Sequence, residues 1–327
     1  MNRPTPLLQV QNLAITLPTR RGPARAVRAL DFTLERGQTL GLIGESGSGK
    51  SLTALALMGL LPEGAQVSGS IRLQGQELVG LGDAQLCQLR GNRIAMVFQE
   101  PMTALNPVHS IGRQVAEPLR LHQGLSAAQA RGQAIALLER VGIARAASRF
   151  DAYPHQFSGG QRQRITIAMA LACGPDLLVA DEPTTALDVT LQKQVLELIG
   201  ELVAERGMAL LLISHDLAVI GQTVARTLVM YGGTVVEQGA TRDIFDRLAH
   251  PYTQGLFAAR PRLGQGRMPG LRLPTITGTV PELADLPPGC PFAGRCPHTL
   301  DACHAALPEA VHLSPGHLAR CIRLNAI

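Results

Sequence analysis

A glycine-rich segment, Gly44–Ser51, constrains the fold of this chain more than any other feature of its sequence. It fits the P-loop pattern G-x-x-x-x-G-K-[ST], and it lies between an apolar run ending at Ile43 and a run from Leu52 that can open a helix. Glycines let backbone N–H groups point at phosphate oxygens, while the lysine adds a cation and the last hydroxyl a ligand for Mg²⁺. The segment predicts binding of a nucleoside triphosphate by Gly44, Glu45, Ser46, Gly47, Ser48, Gly49, Lys50 and Ser51.

The composition of the 327 residues argues against several other classes of protein. Hydrophobic residues make up 46% of the chain, yet no apolar run approaches the ~20 residues that a membrane-spanning helix needs. The first residues lack the apolar core of a secretory signal, so we expect a cytosolic chain whose six cysteines form no disulfide framework. With 3% aromatic residues, no Trp and a mild net charge of +5, we expect no nucleic-acid partner.

The region before the P-loop has the pattern of short strands. Alternating apolar residues predict strands at 8–10, 14–17 and 30–34. The segment 18–25 is rich in Pro, Gly and Arg, and we expect a turn or loop there between two of these strands.

The region after the P-loop predicts an α/β fold. A hairpin is expected at about 67–75, and the spacing of residues 112–147 is typical of helices. Strands predicted at 177–181 and 208–214 flank an amphipathic helix at 189–206. A strand, a helix and another strand around a P-loop imply a parallel or mixed sheet with helices on its faces.

Two acidic residues, Asp181 and Glu182, lie at the end of the strand predicted at 177–181. An acid at such a strand tip can reach an Mg²⁺ ion held between nucleotide phosphates, and a second acid can orient or deprotonate a water. Beside a P-loop, this pattern favours a hydrolytic site over a solvated acidic turn. We therefore assign Asp181 to Mg²⁺ and Glu182 to the attacking water.

A third feature, Ser158-Gly159-Gly160-Gln161, precedes a helical run that starts near Ile165. A serine and two glycines at a helix start can form a second phosphate-binding N-terminus. Taken alone, the segment would be a flexible helix start. Because one nucleotide needs only one P-loop, a second anion site far along the chain indicates a partner.

Together these segments resemble the ATPase subunits of ABC transporters. Residues 158–161 are similar to the family signature, with Phe157 where leucine is usual. Gln99 matches a glutamine that reports metal and nucleotide state to a membrane subunit, and residues 186–188 match a loop that crosses a dimer interface. His215 matches a histidine that contacts the γ-phosphate.

The resemblance implies a P-loop ATPase fold with a mixed β-sheet and flanking helices, an antiparallel β subdomain and a helical subdomain at roughly 100–170. This ATPase domain would span residues 7–257, followed by a linker at 258–289 and a small cysteine-rich extension at 290–327. Two ATP molecules would bind with Mg²⁺ between two subunits arranged head to tail. The implied Mg²⁺ ligands are Ser51, Gln99 and Asp181, the implied catalytic residues are Gln99, Glu182 and His215, and Asp188 and the signature residues would contact nucleotide across the dimer.

One departure from the family pattern concerns adenine. Family members often place an aromatic residue on an early strand to stack on that base. The matching region here has Leu17 beside Thr16, so we expect apolar contact from Leu17 or Val27 instead.

Three further segments, 99–107, 250–256 and 278–297, resemble the oligopeptide, dipeptide and nickel importer subgroup. The resemblance implies two permease subunits, an extracytoplasmic solute-binding protein and a location at the cytoplasmic face of the inner membrane. It favours a second, different ATPase chain over a homodimer. Peptides are the expected solute, with nickel or another small solute as the alternative.

Two other kinds of protein fit the sequence less well. A soluble ATPase that acts on DNA or ribosomes usually has a coiled-coil insertion or a second ATPase core, and the sequence has one P-loop and one signature. A non-hydrolysing regulatory subunit is disfavoured because Lys50, Asp181, Glu182 and His215 are all intact.

The extension has four cysteines with the spacing C-x5-C-x6-C-x17-C: Cys290, Cys296, Cys303 and Cys321. Thiolates suit zinc or an iron–sulfur cluster, but this spacing matches neither a zinc knuckle nor the common ferredoxin runs. The subgroup resemblance points to a [4Fe–4S] cluster on these four residues. Zinc, and reduced cysteines packed as apolar side chains, stay open as alternatives.

Overall fold

A computed structural model describes residues 5–99, 104–184, 187–260 and 274–324 of the chain. Its strands are β1 Leu8–Thr19, β2 Gly22–Leu34, β3 Thr39–Ile43, β4 Gln66–Leu73, β5 Gln76–Glu77, β6 Ile94–Val97, β7 Leu177–Asp181, β8 Ala209–Ile213, β9 Arg226–Tyr231, β10 Thr234–Ala240, β11 Val311–Ser314 and β12 His317–Ala319. Its α-helices are α1 Lys50–Met58, α2 Asp83–Leu89, α3 Ile111–Gln123, α4 Ala127–Arg140, α5 Ala146–Arg149, α6 Gly159–Ala170, α7 Val189–Arg206, α8 Leu217–Thr223, α9 Thr241–Arg247, α10 Pro251–Ala258 and α11 Asp301–Ala305.

A four-stranded antiparallel sheet, in the order β2-β1-β4-β5, contains the first part of the chain. The two strands predicted at 8–10 and 14–17 are one strand, β1, with Asn12 between them at a φ of 48°. The turn or loop predicted at 18–25 between two strands is present but shorter, because β1 and β2 continue through most of the segment and leave a turn at residues 20–21. Pro18 is tolerated there since β4 pairs with β1 only as far as Thr16, so Pro18 has no ladder partner on that side.

The main sheet has eight strands in the order β11-β12-β10-β9-β3-β8-β7-β6. The five strands from β9 to β6 are parallel, and the other three are antiparallel to their neighbours. The predicted mixed sheet is therefore confirmed. Parallel strands share one carboxyl edge, where ligands bind in open α/β sheets. The segments that follow β3, β6, β7 and β8 all begin at that edge.

Both faces of the parallel strands are buried. Along β8, Leu210 and Leu212 pack into one apolar cluster, while Leu211 and Ile213 pack into another. The first cluster includes the helices from α3 to α7, and the second includes α1 and the antiparallel sheet. A strand covered on both faces has a continuous apolar sequence, which is the pattern at 208–214.

The helical prediction for 112–147 is confirmed by α3, α4 and α5. Buried residues at helical spacing on α3 and α4 share the first apolar cluster: Ile111, Val115, Leu119, Ala130, Ala134 and Leu138. Among the described residues, no helix is both long and apolar enough to cross a membrane.

The end of the chain is built into the main sheet. β12 pairs with β10, so that Ala319 lies opposite Glu237. The buried side chains of His317 and Glu237 are joined at 2.8 Å, and the Glu237 carboxylate also accepts the backbone N–H groups of Ala249 and His250. The extension is therefore attached to the core by buried polar contacts as well as by a strand.

Candidate nucleotide-binding site

The P-loop connects β3 to α1 in a conformation that requires glycine. Gly44, Gly47 and Gly49 have φ values of 150°, 80° and 98°. A Cβ on Gly44 would lie 2.1 Å from the carbonyl oxygen of Met230, and one on Gly49 would lie 2.8 Å from that of Ala26. Because both obstacles are backbone atoms of neighbouring strands, the loop can approach β2 and β9 this closely only without these side chains.

Lys50 is the first residue of α1, and only 6% of its surface is exposed. Its Nζ donates to the carbonyl oxygens of Gly44 at 2.7 Å and Glu45 at 2.9 Å, and to Ser48 Oγ at 3.3 Å. Burial lowers the pKa of Lys50, although nearby carboxylates oppose this effect. The ammonium group is therefore held over the loop that cradles phosphate oxygens.

Asp181 ends β7 beside Ser51, and its carboxylate is hydrogen-bonded to that serine. Burial raises the pKa of Asp181, and the hydrogen bond from Ser51 partly offsets this. Its Oδ1 is buried and has no hydrogen-bond partner among the described residues. Mg²⁺ binds one or two carboxylates together with substrate phosphates, so this carboxylate oxygen beside a hydroxyl fits the ion.

Three predicted catalytic side chains meet next to the P-loop. Gln99 Nε2 donates to Glu182 Oε2 at 3.0 Å, and His215 Nδ1 lies 3.2 Å from Glu182 Oε1. The three residues follow β6, β7 and β8, which are neighbours in the sheet. Glu182 has a φ of 45°, and its N–H donates to the carbonyl oxygen of Ile213 at 2.9 Å. This left-handed conformation is rare for a side chain of this type and is found at functional sites.

The signature segment forms the start of α6. Ser158 Oγ accepts the Gln161 N–H at 3.3 Å, and Gln161 Oε1 accepts the Ser158 N–H at 3.2 Å, which is a capping box. Gly160 faces α7, where a Cβ would lie 3.1 Å from a methyl carbon of Leu191. Ser158 and Gly159 are exposed, so this helix start is open to another molecule.

All P-loop residues except Glu45 line an open cleft of about 500 Å³, together with Leu52, Gln99, Glu182, His215 and Leu283. The signature residues and Asp188 do not line it. Asp188 instead caps α7, where its side chain accepts the Leu191 N–H at 2.9 Å. One chain therefore brings the P-loop and the three catalytic side chains together but leaves its own signature apart from them.

Parts of some predicted segments lie outside the described residues. These parts are residues 100–103 of the segment after Gln99, residue 186 of the loop before Asp188, and residues 261–273 of the predicted linker.

Among the described residues beyond position 250, three side chains contact the P-loop or its cleft. Leu283, on a 3₁₀ helix at Leu283–Asp285, lines the cleft. The Tyr252 hydroxyl accepts the Glu45 N–H at 2.7 Å, and Arg295 binds the Glu45 carboxylate. All three lie in the segments that resemble the importer subgroup, but nothing in the sequence pattern indicated contact with the P-loop.

Neither of the two residues expected to contact adenine lines the cleft. Val27 is fully buried and packs against the P-loop at Gly49, so it has no surface left for a base, and that prediction is wrong. Leu17 is half-buried against the second apolar cluster and does not line the cleft. Apolar side chains in the cleft wall come instead from Leu52 and Leu283.

The four cysteines of the extension line one small pocket together with His250 and Phe292. Each sulfur accepts a backbone N–H, and the donors are Phe292, His298, Leu300 and Arg323. Burial raises the pKa of Cys290 to about 11 and also raises the pKa of Cys296 and Cys321. Among the described residues, no group of three or more His, Cys, Asp or Glu side chains converges on a single metal ion. A four-iron cluster does not need such convergence, because each thiolate binds a different iron.

Comparison with known proteins shows which family of nucleotide-binding proteins this chain resembles. The ABC transporter family matches residues 27–185, and the C-terminal region of oligopeptide/dipeptide transporters matches residues 236–303. The chain is 47% identical to the oligopeptide transport ATP-binding protein OppD of Salmonella typhimurium, over 97% of this chain and 93% of that protein. It is also 47% identical to the OppD protein of Mycobacterium tuberculosis, over 99% of this chain and 53% of that protein.

Solved structures share the fold of the ATPase core. The ATP-binding cassette MJ0796, solved as a dimer in a post-hydrolysis state with ADP and Pi, matches with a TM-score of 0.65 and 26% identity, over 72% of this chain and 99% of that one. The cbiO1 protein of Clostridium perfringens matches with a TM-score of 0.63 and 25% identity, over 75% of this chain and 92% of that one. The chain belongs to the ABC transporter family, as an ATP-binding subunit of the oligopeptide/dipeptide type. The activity of its site is ATP hydrolysis.

Proposed function

We propose that this chain is the ATP-hydrolysing subunit of a peptide importer. The observation that carries the proposal is the Glu182 carboxylate, which contacts Gln99 and His215 at the sheet edge beside the P-loop. Peptide as the solute is supported by the name of the OppD relative and by the match to the oligopeptide/dipeptide C-terminal region. Nickel or another small solute is the alternative.

In the proposed mechanism, the P-loop N–H groups and Lys50 bind the β- and γ-phosphates. Glu182 orients the attacking water and accepts its proton, while Gln99 and His215 hold the carboxylate in place. His215 also contacts the γ-phosphate. Ser51, Gln99 and Asp181 would hold Mg²⁺, which neutralises charge on the phosphates when it is bound.

A second ATPase subunit would complete the nucleotide site. Ser158 and Gly159 are exposed at the start of α6, away from the P-loop cleft, so in a head-to-tail pair residues 158–161 can contact ATP held by the other subunit. Asp188 would contribute at the same interface. The dimeric form of MJ0796 with ADP and Pi supports this arrangement. We favour a different chain over a second copy, from the resemblance to the importer subgroup.

The remaining partners in this proposal are two permease subunits and an extracytoplasmic solute-binding protein. Through the permeases the chain would lie at the cytoplasmic face of the inner membrane. We assign residues 7–257 to the ATPase domain, with a helical subdomain at roughly 100–170. Residues 258–289 are then the linker, and residues 290–327 the extension.

We also propose that the extension holds a [4Fe–4S] cluster on Cys290, Cys296, Cys303 and Cys321. The proposal is supported by their common pocket and by the backbone N–H that each sulfur accepts. Such hydrogen bonds stabilise thiolates bound to iron and tune the potential of the cluster.

Replacing Glu182 with Gln tests the proposed hydrolytic role. The amide keeps the size of the side chain but cannot accept a proton, so ATPase turnover should fall by at least about a hundredfold. The variant should still bind ATP, and because it does not hydrolyse the ATP it should accumulate as a closed, ATP-bound dimer. Turnover and ATP affinity are measured on the purified complex, with and without peptide.

Glu201→Gln is the matched control. It replaces a carboxylate with an amide in the same way, at an exposed residue that does not line the cleft. It should hydrolyse ATP at the normal rate. Normal ATP turnover by Glu182→Gln would refute the hydrolytic role of Glu182. An ATPase rate that is unchanged by peptide but raised by another solute would refute peptide import.

A further inference from the structure

The P-loop of this chain has an acidic residue, Glu45, at its second position. The backbone of Glu45 is part of the phosphate cradle, since its carbonyl oxygen accepts the Lys50 ammonium at 2.9 Å. The Glu45 carboxylate lies near enough to raise the pKa of Lys50, so it also repels a triphosphate bound by Lys50 unless a cation lies beside the carboxylate. The loop therefore needs a positive charge beside the Glu45 carboxylate, in addition to that of Lys50.

Arg295, from the extension, supplies that charge. Its Nη1 lies 2.6 Å from Glu45 Oε2 and its Nη2 lies 3.2 Å from Glu45 Oε1. This is the two-point geometry in which a guanidinium binds a carboxylate most strongly. Only 6% of the Arg295 side chain is exposed, against 28% for Glu45, so water competes weakly for the guanidinium.

The guanidinium of Arg295 is held in place by groups other than Glu45. Its Nε donates to the Thr277 carbonyl oxygen at 2.9 Å, and its Nη2 also lies 3.3 Å from the Gly278 carbonyl oxygen. Its Nη1 donates to the Tyr231 hydroxyl at 3.2 Å. Burial works against the charge of Arg295, but the hydrogen bonds with Glu45 and Tyr231 outweigh it and raise the pKa of Arg295. These contacts orient the Arg295 guanidinium toward Glu45 of the P-loop before any nucleotide binds.

Glu45 is held from its backbone side as well. Its N–H donates to the Tyr252 hydroxyl, and the Tyr252 ring packs edge-on against Tyr231, with centroids 4.6 Å apart. Phe292, three residues before Arg295, packs against both tyrosines. We call Tyr231, Tyr252, Phe292 and Arg295 the P-loop brace.

We propose that Arg295 is a positioning residue for ATP binding. It neutralises the Glu45 carboxylate and holds the start of the P-loop in place. The nucleotide site of each subunit then includes a charge from the extension of the same chain. The proposal uses the ATP site alone and does not depend on peptide import or on a cluster at the cysteines.

The test is a double-mutant cycle on the full-length chain, with the dissociation constant for ATP measured by calorimetry. Arg295→Gln leaves Glu45 without its cation, so ATP should bind about tenfold more weakly. Glu45→Gln removes the repelling charge while Arg295 stays in place, so this variant should bind ATP about threefold more tightly than the unmodified chain. The double variant should recover to within about threefold of Glu45→Gln, because the glutamine no longer needs a cation.

Two further variants separate charge from packing. Arg295→Lys keeps the charge but not the fork, so it should lose only about threefold in ATP affinity. Arg247→Gln is the matched control: this exposed arginine also joins the core to the extension, through the Leu313 carbonyl oxygen at 3.3 Å, but does not touch the P-loop. It should leave ATP affinity unchanged. The defect of Arg295→Gln should also shrink at high salt, since added ions screen repulsion.

Recovery in the double variant supports the charge mechanism, because a loss of packing alone cannot be repaired at Glu45. Equal affinities for Arg295→Gln and the unmodified chain would overturn the proposal. So would a double variant that binds ATP as weakly as Arg295→Gln. If Arg295→Gln fails to fold, the cycle is run with Arg295→Lys, whose smaller defect must vanish in the Glu45→Gln background.

Discussion

Gly44 shows that the P-loop depends on strands elsewhere in the fold. Its φ of 150° is one that residues with a Cβ avoid, and the Met230 carbonyl oxygen on β9 occupies the space where a Cβ would lie. The glycine of the motif is therefore required by the contact with β9 as well as by phosphate binding.

We expect Gly44→Ala to lower the free energy of unfolding by about 3 kcal/mol and to abolish ATP binding, because the Cβ must push β9 and the loop apart. Gly75→Ala is the control, since Gly75 also has a positive φ, 84°, but has open space around it. It should cost only about 1 kcal/mol and leave ATP binding intact. Denaturant unfolding and calorimetry measure both, and equal losses for the two variants would contradict the role of β9.

Glu182 shows what the sequence could not indicate about a single residue. The apolar run to Asp181 predicts that Glu182 follows a strand, and this prediction is confirmed. Its left-handed backbone and its contacts with Gln99 and His215 depend on the neighbouring strands β6 and β8. Such contacts between distant parts of the chain leave no local pattern in the sequence.

The first residues of helices α4 and α6 form the same capping structure. Ser126 and Gln129 form a capping box at the start of α4, as Ser158 and Gln161 do at α6. The two serines therefore make the same contribution to helix stability. Only Ser158 belongs to the signature.

We expect Ser158→Ala and Ser126→Ala to lower the free energy of unfolding equally, by about 1 kcal/mol each. Ser158→Ala should also slow ATP turnover in the assembled dimer, because its hydroxyl and helix start would face the second ATP. Ser126→Ala should not. Denaturant unfolding and steady-state ATPase rates measure this, and equal ATPase rates for both variants would argue against the signature role.

Strand β1 shows why a loop was expected where an element continues. The prolines, glycine and arginines at 18–25 are typical of loops. In the fold, however, this part of the hairpin extends beyond β4, where a proline breaks no ladder. The local composition was read correctly, and the missing information was which strands lie on either side.

At the scale of the whole molecule, the extension contacts both the main sheet and the nucleotide site of the core. β12 extends the main sheet, His317 contacts the buried Glu237, and the P-loop brace connects the extension to the nucleotide site. Between these contacts, the cysteine pocket lies against His250 at the start of α10. Binding at the cysteines would therefore stabilise a part of the chain that also contacts the P-loop.

We expect the full-length chain purified without oxygen to contain about four iron and four sulfide ions, and to absorb near ~400 nm. Cys303→Ser should lose the iron and the colour, because the cluster then lacks one of its four thiolates. Cys173→Ser is the control, since Cys173 lies outside the cysteine pocket, and it should keep both. Iron and sulfide analysis, with absorbance, measures this.

A colourless, iron-free protein with full transport activity would refute the cluster. Protein that contains zinc at one ion per chain would favour the zinc alternative instead. Equal iron content in Cys303→Ser and Cys173→Ser would show that the iron is bound elsewhere.

The sequence by itself determined the class of fold and the chemistry of the nucleotide site, because the P-loop, the strand ending in Asp181-Glu182 and the apolar spacing are local patterns with direct physical meaning. The tertiary structure decided which groups meet. It placed Gln99 and His215 on Glu182, left the signature outside the cleft, and brought Arg295 to Glu45 across 250 positions of the chain. Contacts of that kind depend on the order of strands in the sheet and on the packing of the extension, and short-range spacing does not contain either.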